Sequence, residues 1–252
     1  MKYRVSESRS PRWARRAAAA TLAALALFSP APLAAQRDRD FTIPRPLPPE
    51  SYLVIGFLGG IEHWNSQARP VRRLALDLRA KGLPNVYVET VEHAHRSRAL
   101  RLIRDALDRN RDGQLDPREA AAARIILYGH SFGGEAVVKL ARELKARHVP
   151  VLLTVQVDSV GRNRTIPANV RHAANLYQHS SHVIRGDAEI VPDDAQATTI
   201  VGNFQYDYGK RKVDLRDASV VERIGATGHT KMEFDPAVWS KVEELIVREI
   251  RR

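Results

Sequence analysis

The chain has 252 residues, of which 44% are hydrophobic, and it carries a formal net charge of +11 and no cysteine. Its basic residues are spread along the sequence without a long basic block or interleaved aromatic residues, so nucleic acid is not an expected partner. The lack of cysteine excludes disulfide bonds and thiol chemistry.

The first 35 residues have the pattern of a secretory signal peptide. Residues 1–16 are basic, residues 17–28 are apolar, and a stretch rich in small residues ends at Ala35. The apolar stretch is too short to span a bilayer comfortably, although an uncleaved anchor is the alternative. Cleavage after Ala35 would remove six basic residues and one acidic residue, which lowers the net charge from +11 to about +6. We therefore expect a secreted or periplasmic protein with no stable membrane span after signal cleavage.

Strands and helices alternate along the rest of the chain. Residues 36–50 contain four prolines and are predicted to be an extended linker, so the folded domain is expected over residues 51–252. The predicted strands are 52–57, 85–90, 124–128, 151–157, 175–178 and 200–206, and the predicted helices are 70–81, 98–107, 117–123, 135–147 and 236–250. This order favours an α/β fold in three layers, with a mostly parallel sheet and helices on both faces.

Residues 108–119, between the second helix and the third strand, match the calcium-binding loop D-x-[DN]-x-[DN]-G-x₅-E and resemble an EF-hand. Gly113 would take the sharp turn of such a loop. The predicted Ca²⁺ ligands are Asp108, Asn110, Asp112, the carbonyl of Gln114, Asp116 and Glu119. A single loop favours a modest affinity of ~0.1–1 mM and a structural role. The alternative is a polar turn rich in Asp and Asn.

Residues 129–133 read Gly-His-Ser-Phe-Gly and fit G-x-S-x-G, between a predicted strand and a predicted helix. A serine on such a sharp turn is the nucleophile elbow of hydrolases, which predicts Ser131 as the nucleophile. The glycines suit a turn too tight for Cβ atoms beside the serine. The alternative is a glycine-rich turn whose serine has no chemical role.

A nucleophilic serine needs a base and an orienting carboxylate, which follow it in the order acid then histidine in this type of hydrolase. His229 is the predicted base, in a flexible loop just before the last helix. Asp158 is the preferred acid because it directly follows the strand 151–157 and so emerges at the carboxyl edge of the sheet. Asp187 and Glu189 are rivals for that role.

An oxyanion hole requires two backbone amides aimed at the developing negative charge. The amide of Phe132, directly after the nucleophile, is one predicted donor. Residues 55–60 resemble the H-G-F-L-G turn of lipases, with Ile55 in place of the histidine. This resemblance predicts Phe57 as the second donor.

Across residues 50–252 the chain resembles a small secreted α/β-hydrolase of the lipase or thioesterase kind, with the first two strands of that fold missing. The resemblance implies hydrolysis of an ester or thioester through an acyl-enzyme, with a small-molecule or lipid-like ester as substrate. The alternative is a non-catalytic calcium-binding envelope protein on a hydrolase-like scaffold. Ile55 and the undecided acid are the features that favour this alternative.

Overall fold

The computed structural model describes residues 36–252 except 162, 182 and 183, so the predicted signal peptide lies outside the described residues. Its main sheet is built from β1 (Tyr52–Leu58), β2 (Val86–Glu92), β3 (Ile125–His130), β4 (Val151–Val157), β6 (Val170–Gln178) and β8 (Thr199–Tyr206). The strand order is β2-β1-β3-β4-β6-β8, and every neighbouring pair is parallel. Two short strands, β5 (Thr165–Ile166) and β7 (Val191–Pro192), form a separate parallel pair.

Helices connect these strands and cover the sheet. They are α1 (Pro70–Ala80), α2 (Arg96–Leu107), α3 (Pro117–Ala121), α4 (Phe132–Lys145), α5 (Val220–Ile224), α6 (Gly228–Phe234) and α7 (Pro236–Ile250), with 3₁₀ turns at Asp38–Asp40 and His93–His95. Apolar residues of α2 and α4 belong to one buried cluster, and those of α1 and α7 belong to another. The two clusters lie on opposite faces of the sheet, so the fold has three layers.

The central strands are apolar on both faces for this reason. In β1, Ile55 and Phe57 belong to the cluster of α2 and α4, whereas the alternate residues Val54 and Leu58 belong to the cluster of α1 and α7. All four are fully buried. A strand covered by helices on both faces reads as a continuous hydrophobic run, which is how β1, β3 and β4 appear in the sequence. The arrangement is the predicted three-layer α/β fold, with a parallel main sheet and helices on both faces.

Two predictions about the ends of the domain need correction. The segment 36–50 contains the 3₁₀ turn Asp38–Asp40, and its Phe41, Ile43 and Leu47 are buried in the core cluster of α2 and α4, so it packs on the domain rather than acting as a linker. The segment around His229 is not a flexible loop, because α6 begins one residue before it. None of the helices in the described part is long and apolar enough to cross a membrane.

Candidate active site

Ser131 lies on a sharp turn between β3 and α4. Its backbone has φ 56° and ψ −124°, a strained conformation for a residue with a Cβ atom. The turn is held by the neighbouring strand β4, since the Ser131 amide donates a hydrogen bond to the carbonyl of Val157 at 3.0 Å. Such strain persists only where surrounding structure fixes it, and here it lifts the side chain away from the strand end.

The two glycines of the motif are required by close backbone approaches. A Cβ on Gly129 would lie 2.5 Å from the carbonyl group of Gly133, and a Cβ on Gly133 would lie 2.1 Å from the carbonyl oxygen of Phe57. These distances are far below any van der Waals contact, and the obstacles are backbone atoms that cannot rotate away. The start of α4 is therefore packed directly against β1 and against the turn itself.

His229 lies beside this serine. Its Nε2 atom is 3.0 Å from Ser131 Oγ, a hydrogen-bond distance. The imidazole is placed by the first turn of α6, which is capped by the hydroxyl of Thr227 accepting from the amide of Thr230. The two side chains come from positions 98 residues apart, and the structure brings them together at the carboxyl edge of the sheet.

Asp158 is the acidic residue that contacts the histidine. Its Oδ2 atom is 2.6 Å from His229 Nδ1, and its side chain is completely buried. It follows β4 directly, as predicted, and adopts φ 39°. The rivals Asp187 and Glu189 are exposed, and Glu189 pairs with Arg164. Ser131, His229 and Asp158 therefore form one continuous hydrogen-bonded chain.

Two further donors stabilise the buried carboxylate, and neither was predicted from the sequence. The amide of Gly186 donates to Asp158 Oδ1 at 2.7 Å, and Gln178 Nε2 donates to Oδ2 at 3.1 Å. A buried carboxylate is costly unless hydrogen-bonded, so these contacts hold Asp158 in place. Gln178 also packs closely against the start of α6. Its Oε1 atom would lie only 2.4 Å from a Cβ atom on Gly228. The place of Gln178 at the end of β6, on the carboxyl edge of the sheet, was the available sequence signal.

The predicted oxyanion donors differ in their outcome. Phe132 is the first residue of α4, where backbone amides have no acceptor within the helix and remain available. Phe57 is wrong as a donor because it lies inside β1, between β2 and β3. The amide of Leu53 donates to the carbonyl of Arg124, the residue directly before β3. Alternate residues of a strand face the same neighbouring strand, so the Phe57 amide is also directed at β3 and not at the nucleophile.

The loop after β1 reaches the serine two residues later than predicted. A Cβ on Gly59 would lie 3.1 Å from Ser131 Cβ and 2.8 Å from the carbonyl oxygen of His130. The Gly59 amide donates to Glu62 Oε2 at 3.2 Å. This backbone, rather than that of Phe57, borders the nucleophile.

A buried polar group lies directly behind His229. His130, the last residue of β3, stacks on the His229 ring with centroids 4.7 Å apart. Burial, with smaller contributions from His229 and Arg69, lowers the pKa of His130 well below its ordinary value, so this imidazole is neutral. Nearby, burial and the Glu233 carboxylate raise the pKa of Glu62 to about 9. None of these residues was predicted to be functional, because their meeting depends on three distant segments.

Apolar side chains are exposed on the segments that carry the site. Phe132 follows the nucleophile, Ile61 lies in the loop after β1, and Ile184 lies in the loop that supports Asp158. Helix α5, just before His229, exposes Val220, Val221 and Ile224. Phe132 and Ile61 thus expose apolar surface on the two segments that border the nucleophile.

The predicted calcium loop lies between α2 and α3, away from the serine. Asp108 and Glu119 are buried at its base, and Gly113 has φ 82°, the left-handed conformation expected at this position. The carboxylate of Asp108 accepts hydrogen bonds from the amides of Asp112 and Gly113, and Glu119 accepts from Arg109. Asp116 caps α3, whereas Asn110, Asp112 and Gln114 are exposed. The oxygen-rich donor set fits a hard cation such as Ca²⁺.

Comparisons with known proteins found similarity in structure only. No protein-family model and no curated protein matches the chain. A novel cutinase-like protein from Cryptococcus sp. has 14% identity and a TM-score of 0.43, with 79% of this chain and 95% of that chain covered. The NocB thioesterase domain from the nocardicin cluster has 12% identity and a TM-score of 0.44, covering 80% and 95%. The type II thioesterase BorB from the borrelidin biosynthetic cluster has 12% identity and a TM-score of 0.39, covering 82% and 96%.

Proposed function

We propose that the protein is a serine hydrolase that cleaves an ester or thioester through an acyl-enzyme on Ser131. The observation that carries this proposal is the hydrogen-bonded chain from Ser131 Oγ to His229 Nε2 at 3.0 Å and from His229 Nδ1 to Asp158 Oδ2 at 2.6 Å. A buried carboxylate, an imidazole and a strained serine in this order are the parts that acyl transfer requires.

The chemistry follows from these contacts. Ser131 Oγ attacks the carbonyl carbon of the substrate while His229 Nε2 accepts the hydroxyl proton. Asp158 stabilises the imidazolium that forms, and the Phe132 amide donates to the oxyanion of the tetrahedral intermediate. His229 then gives the proton to the leaving alcohol or thiol as the carbonyl–leaving group bond breaks. A water molecule, deprotonated by His229, attacks the acyl-enzyme and releases the acid and Ser131.

The surroundings of the serine favour a small-molecule or lipid-like ester as substrate. Phe132, directly after the nucleophile, is 46% exposed, and Ile61, in the loop that borders Ser131, is 99% exposed. An acyl chain that covers such side chains gains about 25 cal/mol for each Å² of apolar surface removed from water. We therefore propose that longer acyl chains bind more tightly than acetyl groups.

Labelling with a fluorophosphonate probe tests the enzyme proposal directly. The folded protein should become modified at Ser131, and Ser131→Ala should abolish both labelling and hydrolysis of p-nitrophenyl esters. Ser159→Ala is a matched control, because Ser159 is a buried serine that bonds Asn163 rather than His229. Folded wild-type protein that neither reacts with the probe nor hydrolyses acetyl or octanoyl esters would contradict the proposal and favour the non-catalytic calcium-binding alternative.

We also propose that residues 108–119 bind one Ca²⁺ ion that stabilises the domain. The ligands would be Asp108, Asn110, Asp112, the Gln114 carbonyl, Asp116 and Glu119. Leu115, within the loop, packs against the core cluster that includes α2 and α4. A loop held in place by calcium would therefore stabilise the packing of these helices against the sheet. The ion would have no part in the acyl transfer.

The proposed location is outside the cytoplasm, in the periplasm or the medium, where millimolar calcium suits a single loop of modest affinity. The basic, apolar and small-residue order of residues 1–35 supports export. Expression of the full chain with its own N-terminus in a bacterial host tests this directly. Mass spectrometry of the exported protein should find Gln36 at its N-terminus, whereas an uncleaved cytoplasmic product would contradict export.

A further inference from the structure

Three potential metal ligands meet in the interior behind the proposed catalytic histidine. One ligand atom each of Glu62, His130 and Glu233 lies within 4.8 Å of the other two. Glu62 belongs to the loop after β1, His130 ends β3, and Glu233 lies one helical turn after His229 on the same face of α6. We refer to these three residues as the interior cluster.

His130 has an unsatisfied polar ring in this cluster. The residue is 2% exposed, and neither Nδ1 nor Nε2 has a hydrogen-bond partner among the residues that the structure describes. A buried polar atom without a partner costs about 1–3 kcal/mol, so the ring implies a missing interaction. One face of the ring stacks on His229, and one ring nitrogen lies within 4.8 Å of a carboxylate oxygen of Glu62 and of Glu233. A neutral imidazole in this position offers a lone pair, as a metal ligand does.

The cluster also has more carboxylates nearby than cationic side chains to pair with them. Arg69 Nη1 contacts Glu222 at 2.8 Å, Glu233 at 3.0 Å and Glu62 at 3.9 Å, so three carboxylates share one guanidinium. The side chains of Glu62 and Glu233 are only 9% and 8% exposed, which leaves little room for water to screen them. Buried carboxylates are costly unless they are paired or bind a cation. Without a metal, the raised pKa of Glu62 means that a proton neutralises this carboxyl. A divalent cation would displace that proton and would then balance the charge of the three carboxylates and Arg69.

We propose that Glu62, His130 and Glu233 bind a divalent transition-metal ion of the Zn²⁺ class. Imidazole nitrogen and carboxylate oxygen are ligands of zinc, and three protein ligands leave one position for water. Zinc–ligand bonds of ~2.0 Å place neighbouring ligands ~3.3 Å apart, so ligand atoms that now lie within 4.8 Å of one another would close in by up to about 1.5 Å. Arg69 would remain hydrogen-bonded to the carboxylates from outside the coordination sphere.

The ion would act as a brace in a chain that has no disulfide to serve this purpose. It would link the loop that borders Ser131, the residue directly before Ser131, and the helix that carries His229. These are three of the segments on which the geometry of the site depends. The proposal is independent of the hydrolase activity, because the brace would bind zinc equally well in a protein that cleaves nothing.

Zinc binding by the purified full domain tests the proposal. Protein stripped with a chelator, exchanged into ZnCl₂ and gel-filtered should retain one zinc per chain by mass spectrometry of the metal, and its Tm should rise with added zinc. Glu62→Gln and Glu233→Gln keep the side-chain shape but remove a ligand charge. Each should weaken zinc binding by at least about 10-fold, the loss that even an outer-shell partner causes.

Controls separate this site from other metal-binding groups. Glu249→Gln removes another buried carboxylate that contacts a histidine, His172, and should leave zinc binding unchanged. Glu119→Gln in the calcium loop should leave it unchanged as well. Folded wild-type protein that retains no zinc would overturn the proposal and indicate that a proton neutralises the cluster. Equal zinc retention by wild type, Glu62→Gln and Glu233→Gln, with native circular dichroism, would overturn it too.

Discussion

His229 Nδ1 lies 2.6 Å from Asp158 Oδ2, although the two residues are 71 positions apart. This contact fixes the orientation of the imidazole, so that its other nitrogen faces Ser131 at 3.0 Å. Among the described residues, His229, Gln178 and Gly186 form hydrogen bonds with the carboxylate, which is therefore held by segments from three parts of the chain. The position of the base depends on these contacts as much as on its own helix.

Asp158→Asn should lower kcat for ester hydrolysis by about 10⁴-fold. An amide no longer stabilises the imidazolium, and it favours the wrong tautomer of His229. Asp187→Asn is the matched control and should keep nearly wild-type kcat, since Asp187 is an exposed carboxylate that was an alternative candidate for the acid. Steady-state kinetics with one p-nitrophenyl ester measures both variants. A larger loss of kcat in Asp187→Asn than in Asp158→Asn would show that the acid has been wrongly assigned.

Gln178→Met should reduce kcat several-fold to about 10-fold with little change in KM. The variant keeps the side-chain length but removes the amide that donates to Asp158 Oδ2 at 3.1 Å. Gln178 contacts the acid and not the proposed substrate position, so binding should be spared. Gln205→Met on the neighbouring strand removes only a contact with the Tyr177 hydroxyl and should leave both constants unchanged. A change confined to KM would contradict a positioning role.

The fold could be predicted from the sequence because its strands and helices carry strong local patterns. The central strands β1, β3 and β4 each have an apolar run, since helices cover both faces of the sheet there. The short helices α5 and α6 were missed, because five or seven residues give too little periodicity for a helical pattern. The burial of 36–50 was missed for a different reason: four prolines indicate an extended chain but do not reveal whether Phe41 and Leu47 pack against something.

The site was predictable where a residue belongs to a local motif. Ser131 was found from its flanking glycines, and Asp158 from its place at a strand end. The prediction of Phe57 as an oxyanion donor was wrong, because the family pattern indicates a loop after the first strand but not the residue at which that strand ends. The meeting of Glu62, His130 and Glu233 depends on the packing of separate elements, and no spacing along the chain encodes it.

Gly133→Ala should destabilise the domain by about 1–3 kcal/mol or more, the usual cost of overpacking. The new Cβ would lie 2.1 Å from the Phe57 carbonyl oxygen, so α4 and β1 must separate and Ser131 must move with them. Urea unfolding should therefore show a lower midpoint, together with reduced probe labelling of Ser131. Gly225→Ala is the control, since its nearest atom would be 3.5 Å away and its φ is −95°. An unchanged midpoint in Gly133→Ala would contradict the packing at the turn.

Calcium should raise the Tm of the wild-type domain, and Glu119→Gln should remove most of this rise. At a calcium concentration ten times Kd, binding stabilises the native state by about 1.4 kcal/mol, which corresponds to an increase in Tm of about 3–6 °C for a domain of this size. Glu119 also accepts the amides of Arg109 and Asp116, so the calcium-induced difference is the relevant readout rather than the basal Tm. Asp105→Asn, which alters an acidic residue of α2 outside the loop, should retain the full rise. The same rise in Glu119→Gln would place the calcium effect elsewhere.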